Sequence, residues 1–150
     1  GGGIKTWYKP ASLLFQLPHH LKYRVLAERL AACRLASDAR IPAWASEDEG
    51  KFFCVVRTGD ELSIVCAEDR IPDGVRAERG WLALKLEGPF PFVMTGVLAS
   101  FLQPLAEAEI PIFAISTFDT DYVLIKPEHL EAAVEALGAA GHEKVDEPAG

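Results

Sequence analysis

MTGVLASFLQPLAEAEIPIFAISTFDTDYVLIK, residues 94–126, holds a helix pattern, a strand, a polar turn and a returning strand in succession. Val97, Leu98, Phe101, Leu102 and Leu105 recur at helical spacing. Pro104 conflicts with that pattern, because its missing N–H should kink or restart the helix. Residues 112–117 and 122–126 are rich in β-formers and read as two strands. Upstream, WLALKLE at residues 81–87 reads as a strand that Gly88-Pro89 ends. Downstream, Pro127 takes a first-turn position, and Leu130, Ala133, Val134 and Leu137 form an apolar stripe. Gly141 stands where a helix C-cap belongs, and residues 142–145 can add an edge strand. The order is βαββαβ. It predicts an α+β, ferredoxin-like unit: an antiparallel sheet with helices on one face.

The first half echoes this plan. FCVVRTGDELSIVC at residues 53–66 aligns without a gap on IFAISTFDTDYVLI at residues 112–125, placing Thr58 opposite Thr117 and Asp60 opposite Asp119. Residues 30–35 likewise match residues 82–87. Residues 37–50 and 69–80 are rich in Pro, Gly and acid, with room only for short turns such as 42–45. The expectation is a tandem on a continuous sheet, with a reduced unit at 28–79 and a complete one at 80–147. Residues 1–27 read as an extension or tag-derived leader. Within 13–30, Leu21, Val25 and Leu26 fall on one helical face, so residues 13–28 are a candidate cap for the reduced unit's bare sheet face.

Composition narrows the function. The net charge of −7 disfavours nucleic acid, and no zinc finger, RNP motif or basic stripe offsets it. Residues 1–30 carry +4 (five cations against Glu28), leaving −11 for the remainder. No apolar run approaches the roughly 18 residues that span a bilayer. Cys33, Cys54 and Cys66 are odd in number, lack CxxC spacing and sit in apolar runs, as buried thiols of a reducing, cytoplasmic compartment do. His19, His20, His129 and His142 are too dispersed to predict a metal site. No cofactor is implied.

No catalytic constellation is present. Ser63, Ser100 and Ser116 lack a GxSxG context, and no Gly-rich phosphate loop occurs. An acylphosphatase-like reading needs an arginine in the loop that here reads Gly88-Pro89-Phe90-Pro91-Phe92, without a cation. Trp7, Trp44 and Trp81 read as leader, turn and strand-opening residues. A binding site is easier to argue. Thr95 is a candidate N-cap, Gly96 allows close approach to the main chain, and free N–H groups near Val97 suit a carboxylate. Ser116, Thr117 and Phe118 end the central strand nearby, and Asp119 or Asp121 can neutralise a cationic group. The competing reading is that Asp119 and Thr120 make the turn and Asp121 is solvated.

Four runs carry a family resemblance: residues 95–99 (TGVLA), 104–108 (PLAEA), 110–113 (IPIF) and 115–124 (ISTFDTDYVL). They resemble an ACT domain of the subtype found in small tandem ACT proteins and CASTOR-type arginine sensors. IPAWA at 41–45, RTGDELSIVC at 57–66 and Gly80-Trp81 resemble the first unit of the same proteins. The resemblance covers residues 28–142 and implies an amino-acid-binding regulatory module rather than an enzyme. It also implies a homodimer, since such sheets have edges that are normally covered, and a regulated protein partner. Asp121 matches the acid that holds the ligand's charged group in the arginine sensor. The sensor's second acid has no counterpart in Val93-Met94-Thr95-Gly96. A neutral or aromatic amino acid, against a wall of Val93, Met94 and Phe113, therefore fits at least as well as arginine. The alternatives are an interaction subunit with a vestigial pocket and a small ferredoxin-like enzyme.

Overall fold

The computed structural model describes residues 19–46, 51–91 and 94–146. In chain order its elements are β1 (Lys22–Leu35), α1 (Ala43–Ser46), β2 (Phe53–Arg57), β3 (Leu62–Ala67) and β4 (Ala77–Leu86). There follow α2 (Val97–Glu107), β5 (Phe113–Ser116), β6 (Asp121–Ile125), α3 (Leu130–Ala139) and β7 (Glu143–Lys144), with 3-10 turns at Glu68–Arg70 and Pro127–His129. The described residues form two compact units: those within Leu26–Ala83, and those up to Val25 together with those from Leu84 onward. The fold is the expected α+β, ferredoxin-like one.

In the larger unit β4, α2, β5, β6, α3 and β7 follow the βαββαβ series, with strand order β7-β1-β4-β6-β5. The start of β1 thus lies between the first and last strands of the series. Lys22 and Tyr23 pair in parallel with Glu143 and Lys144 on one side, and the Glu87 N–H donates to the Lys22 carbonyl on the other, at 2.9 Å. This corrects the helical reading of the cap: from Lys22 the chain is strand, and residues 13–18 lie outside the described residues. Leu21 and Val25 are four apart, as a helix requires, but Leu21, Tyr23 and Val25 also alternate as a strand does. Tyr23 decides it. An aromatic favours strand, and its buried ring meets Phe101 edge-on at 5.3 Å.

α2 runs through Pro104 without restarting. Proline has no N–H to offer the carbonyl four residues back, and the Ser100 carbonyl accepts instead from His142 Nε2–H at 2.9 Å. Both helices end alike. Ile110 N–H bonds the Leu105 carbonyl around Glu109 at φ 57°, and His142 N–H bonds the Leu137 carbonyl around Gly141 at φ 92°. Gly141 therefore ends α3 as expected.

In the smaller unit the order is β2-β3-β1-β4, around a core that includes Ala31, Cys33, Ile64 and Cys66. The hairpin β2–β3 repeats β5–β6. Arg57 pairs with Leu62 as Ser116 pairs with Asp121, and the Thr58 N–H bonds the Glu61 carbonyl as the Thr117 N–H bonds that of Thr120. Where the larger unit has helices, this one has the short α1 and loops pinned by arginine. Arg57 bonds the Ser37 and Ala39 carbonyls, Arg70 that of Trp44, and Arg79 those of Glu68 and Ile71. β4 begins at Ala77 rather than Trp81, so Trp81 lies inside the strand. Its charged start and Gly80 at φ 82° disguise it as loop.

Candidate functional site

The start of α2 is capped by Gly96, at φ 77°, with no side-chain cap bond. Thr95 is therefore not the N-cap: the left-handed turn at Gly96 itself brings the chain into the helix. The Gly96 carbonyl accepts the Ser100 N–H at 2.9 Å. The N–H groups of Val97, Leu98 and Ala99 precede that first bond and have no acceptor inside the helix.

The facing turn is built by its threonines. The Thr117 N–H bonds the Thr120 carbonyl at 2.8 Å, and the Thr117 hydroxyl accepts the Thr120 N–H at 3.2 Å. The buried Thr120 hydroxyl donates to the Leu86 carbonyl at 2.7 Å, fastening the turn to β4. The Phe90 N–H bonds the Asp119 carbonyl at 2.9 Å, and a Cβ at position 88 would stand 2.7 Å from that same oxygen. Only glycine lets this loop close on the turn.

Asp119 is thus left out of the side-chain bonding that makes the turn. Its carboxylate has no hydrogen bond or ion pair among the described residues. Asp121 accepts from the Ser116 hydroxyl across the β5–β6 pair through one oxygen.

Helix start and turn enclose a cleft of about 320 Å³. Of the expected site residues, Gly96, Val97, Ser116, Thr117, Phe118, Asp119 and Asp121 line it, and Thr95 does not. Met94 lines it too, whereas Phe113 does not; Val93 lies outside the described residues. Phe90, Pro91, Leu98, Ala99 and Thr120 complete the wall. Phe90 and Pro91 are not among the expected lining, because the sequence reading weighs their loop only as a strand end and as an anion loop that lacks a cation. The lining holds two carboxylates and no Lys, Arg or His. Phe118 remains 78% exposed at the cleft. Among the described residues no cluster of His, Cys, Asp or Glu could hold a metal, and no helix is long and apolar enough to cross a membrane.

Behind the helix start, two histidines are engaged. His19 Nε2 bonds the Thr95 carbonyl at 2.9 Å, and its backbone N–H donates to the Ser100 hydroxyl at 3.2 Å. His142 Nδ1 accepts the Leu21 N–H at 3.1 Å while its Nε2–H serves Ser100. Burial pushes the His142 pKa down, the Ser100 carbonyl pulls it up, and the charge of His20 lowers it further. Nothing local in the sequence signals either contact.

Residues 76–139 match the ACT domain family, and residues 28–74 match a second family described as an N-terminal domain. The crystal structure of Atu0741 from Agrobacterium tumefaciens is similar at a TM-score of 0.79 and 42% identity, over 87% of this chain and 96% of that one. Human CASTOR3P is 27% identical over 74% of this chain and 76% of its own length. This chain is a CASTOR-like ACT-domain protein. The bovine cytosolic arginine sensor for mTORC1 subunit 1 is 26% identical over 58% of this CASTOR-like chain, which spans only 30% of the sensor's length. The regulatory subunit of aspartate kinase from Thermus thermophilus shares the fold at a TM-score of 0.57 and 15% identity.

Proposed function

We propose that this chain is an amino-acid-binding regulatory module without catalytic activity, whose ligand occupies the cleft between the start of α2 and the Thr117–Asp121 turn. One observation carries the reading: a single cleft joins first-turn N–H groups, without an acceptor among the described residues, to two carboxylates that meet no cation among its lining residues. The helix start suits the ligand's carboxylate. Asp119, whose side chain has no hydrogen bond or ion pair among the described residues, suits its ammonium, with Asp121 beside it. A volume of about 320 Å³ accommodates one amino acid. The apolar wall of Phe90, Met94 and Val97, without an acid beside Gly96, favours a neutral or aromatic side chain over a guanidinium. The names of the related proteins, an arginine sensor and a kinase regulatory subunit, support a regulatory role. The reading includes a cytoplasmic location, a homodimer and a regulated protein partner.

A thermal-shift screen of the twenty amino acids tests it. A ligand at 100 times its dissociation constant should stabilise the fold by roughly 2.7 kcal/mol. No shift with any of them would overturn the reading. The exposure of Phe118 favours a second reading, an interaction subunit whose pocket is vestigial. That alternative predicts no ligand stabilisation.

A further inference from the structure

The hydrogen bonds around His142 can be made by only one protonation state. Nδ1 is an acceptor for the Leu21 N–H, and Nε2 donates to the Ser100 carbonyl. A neutral imidazole protonated on Nε2 does both; an imidazolium carries two donors and must face the Leu21 N–H with another N–H. The ring is 5% exposed and lies 5.5 Å from Phe101, so water cannot readily take over the lost bond.

The two contacts fasten different parts of one unit. Leu21 leads into β1, whose start is held by the Glu143 N–H to Leu21 carbonyl bond at 2.8 Å. Ser100 belongs to the first turns of α2, and its hydroxyl also receives the His19 N–H. We propose that His142 is a pH-sensitive latch that ties residues 19–21 to α2 when neutral and releases them when protonated.

Among the described residues the charged surroundings support the latch and offer no compensating base. From the strand side His20 faces it, and the His20 ring lies 3.0 Å from where a Cβ on Gly141 would be. His19 is engaged with Thr95, and the exposed Lys22 and buried Tyr23 follow in β1. α2 carries no ionisable side chain from Val97 to Gln103, and α3 none after Glu135. Glu143 and Lys144, next in the chain, are exposed. Among the described residues, His20 is the ionisable group whose charge acts on His142, and it opposes protonation. Because folding holds the ring neutral, the latch is complete above the ordinary histidine value of about 6.5. It opens as pH falls through the lowered value of the folded state. The inference is independent of whether the cleft takes a ligand.

Histidine-ring and amide NMR between pH 7.5 and 4.5 tests this. The ring nitrogens of His142 should report the Nε2–H tautomer at neutral pH. The Leu21 amide should shift with the His142 midpoint, and its protection factor (which removes the intrinsic pH dependence of exchange) should fall about tenfold per pH unit through the titration. His142→Gln, whose amide can accept and donate without titrating, should hold Leu21 protection constant. The latch is overturned if Leu21 stays protected while His142 titrates, or loses protection at a pH other than the His142 midpoint. A pH-dependent loss in His142→Gln would overturn it equally. Should that variant not fold, the paired ring and amide titration of the wild-type chain decides alone.

Discussion

Pro104 and His142 serve one carbonyl: the Ser100 oxygen that Pro104 leaves without an intrahelical donor accepts His142 Nε2–H at 2.9 Å. The helix tolerates an internal proline here because a residue 42 positions away replaces the missing bond. His142→Ala orphans both Ser100 oxygen and the Leu21 N–H, at about 1–3 kcal/mol each. In Pro104→Ala the new N–H supplies Ser100 from within the helix. The double variant should therefore be more stable than the sum of the singles by about 1 kcal/mol in a urea-unfolding cycle. Strict additivity would mean that the two residues share the carbonyl only by proximity.

Glu109 ends α2 at φ 57°, a conformation costly for a residue with a Cβ. Glu109→Gly should raise stability by about 1 kcal/mol, read as a higher denaturant midpoint at unchanged slope. Gly141→Ala makes the converse change at φ 92°, where the new Cβ also meets the His20 ring, and should lower the midpoint.

Once a ligand is found, Asp119 and Asp121 should separate. Asp119→Asn leaves the turn's threonine bonds intact, so it should weaken binding about ten- to a hundredfold at unchanged melting temperature. Asp121→Ala should weaken binding over a similar range and also remove the acceptor of the Ser116 hydroxyl. Calorimetric titration of both variants checks this. Equal affinity in Asp119→Asn and wild type would restrict Asp119 to solvent.

The buried Cys66 thiol is pushed up to about 11, chiefly by burial and further by Cys33. At pH 8 roughly one molecule in a thousand would carry the reactive thiolate. Iodoacetamide should accordingly spare Cys66 in the folded chain and label it in denaturant, as peptide mass mapping would show. Rapid labelling under native conditions would contradict the burial.

The βαββαβ series was legible because β4 from Trp81, α2, β5, β6 and α3 carry apolar periods, and the hairpin repeat because Thr58 and Thr117 head similar turns. The start of β1 was not, since Leu21 and Val25 satisfy helix and strand spacing together. At the cleft, the surplus polarity of residues 116–121 marked a turn that lines it. Thr95 misled for a conformational reason: a threonine before glycine looks like a cap, but the positive φ of Gly96 makes the glycine the cap. His142 was unreadable because its partners stand 42 and 121 residues away.

β1 enters the larger unit before running into the smaller one, and β4 leads back out. The chain is therefore nested, with Leu26–Ala83 inserted into a unit whose other parts precede and follow it. During synthesis the inner unit has its complete sequence as soon as Ala83 is made. The outer unit must hold Leu21–Val25 in reserve until residues 142–145 emerge to bond Leu21 and Tyr23. Contacts over so long a span close late, because the loop entropy is lost before they form. β1, though made before the rest of the outer unit's described strands, is among the last to be enclosed.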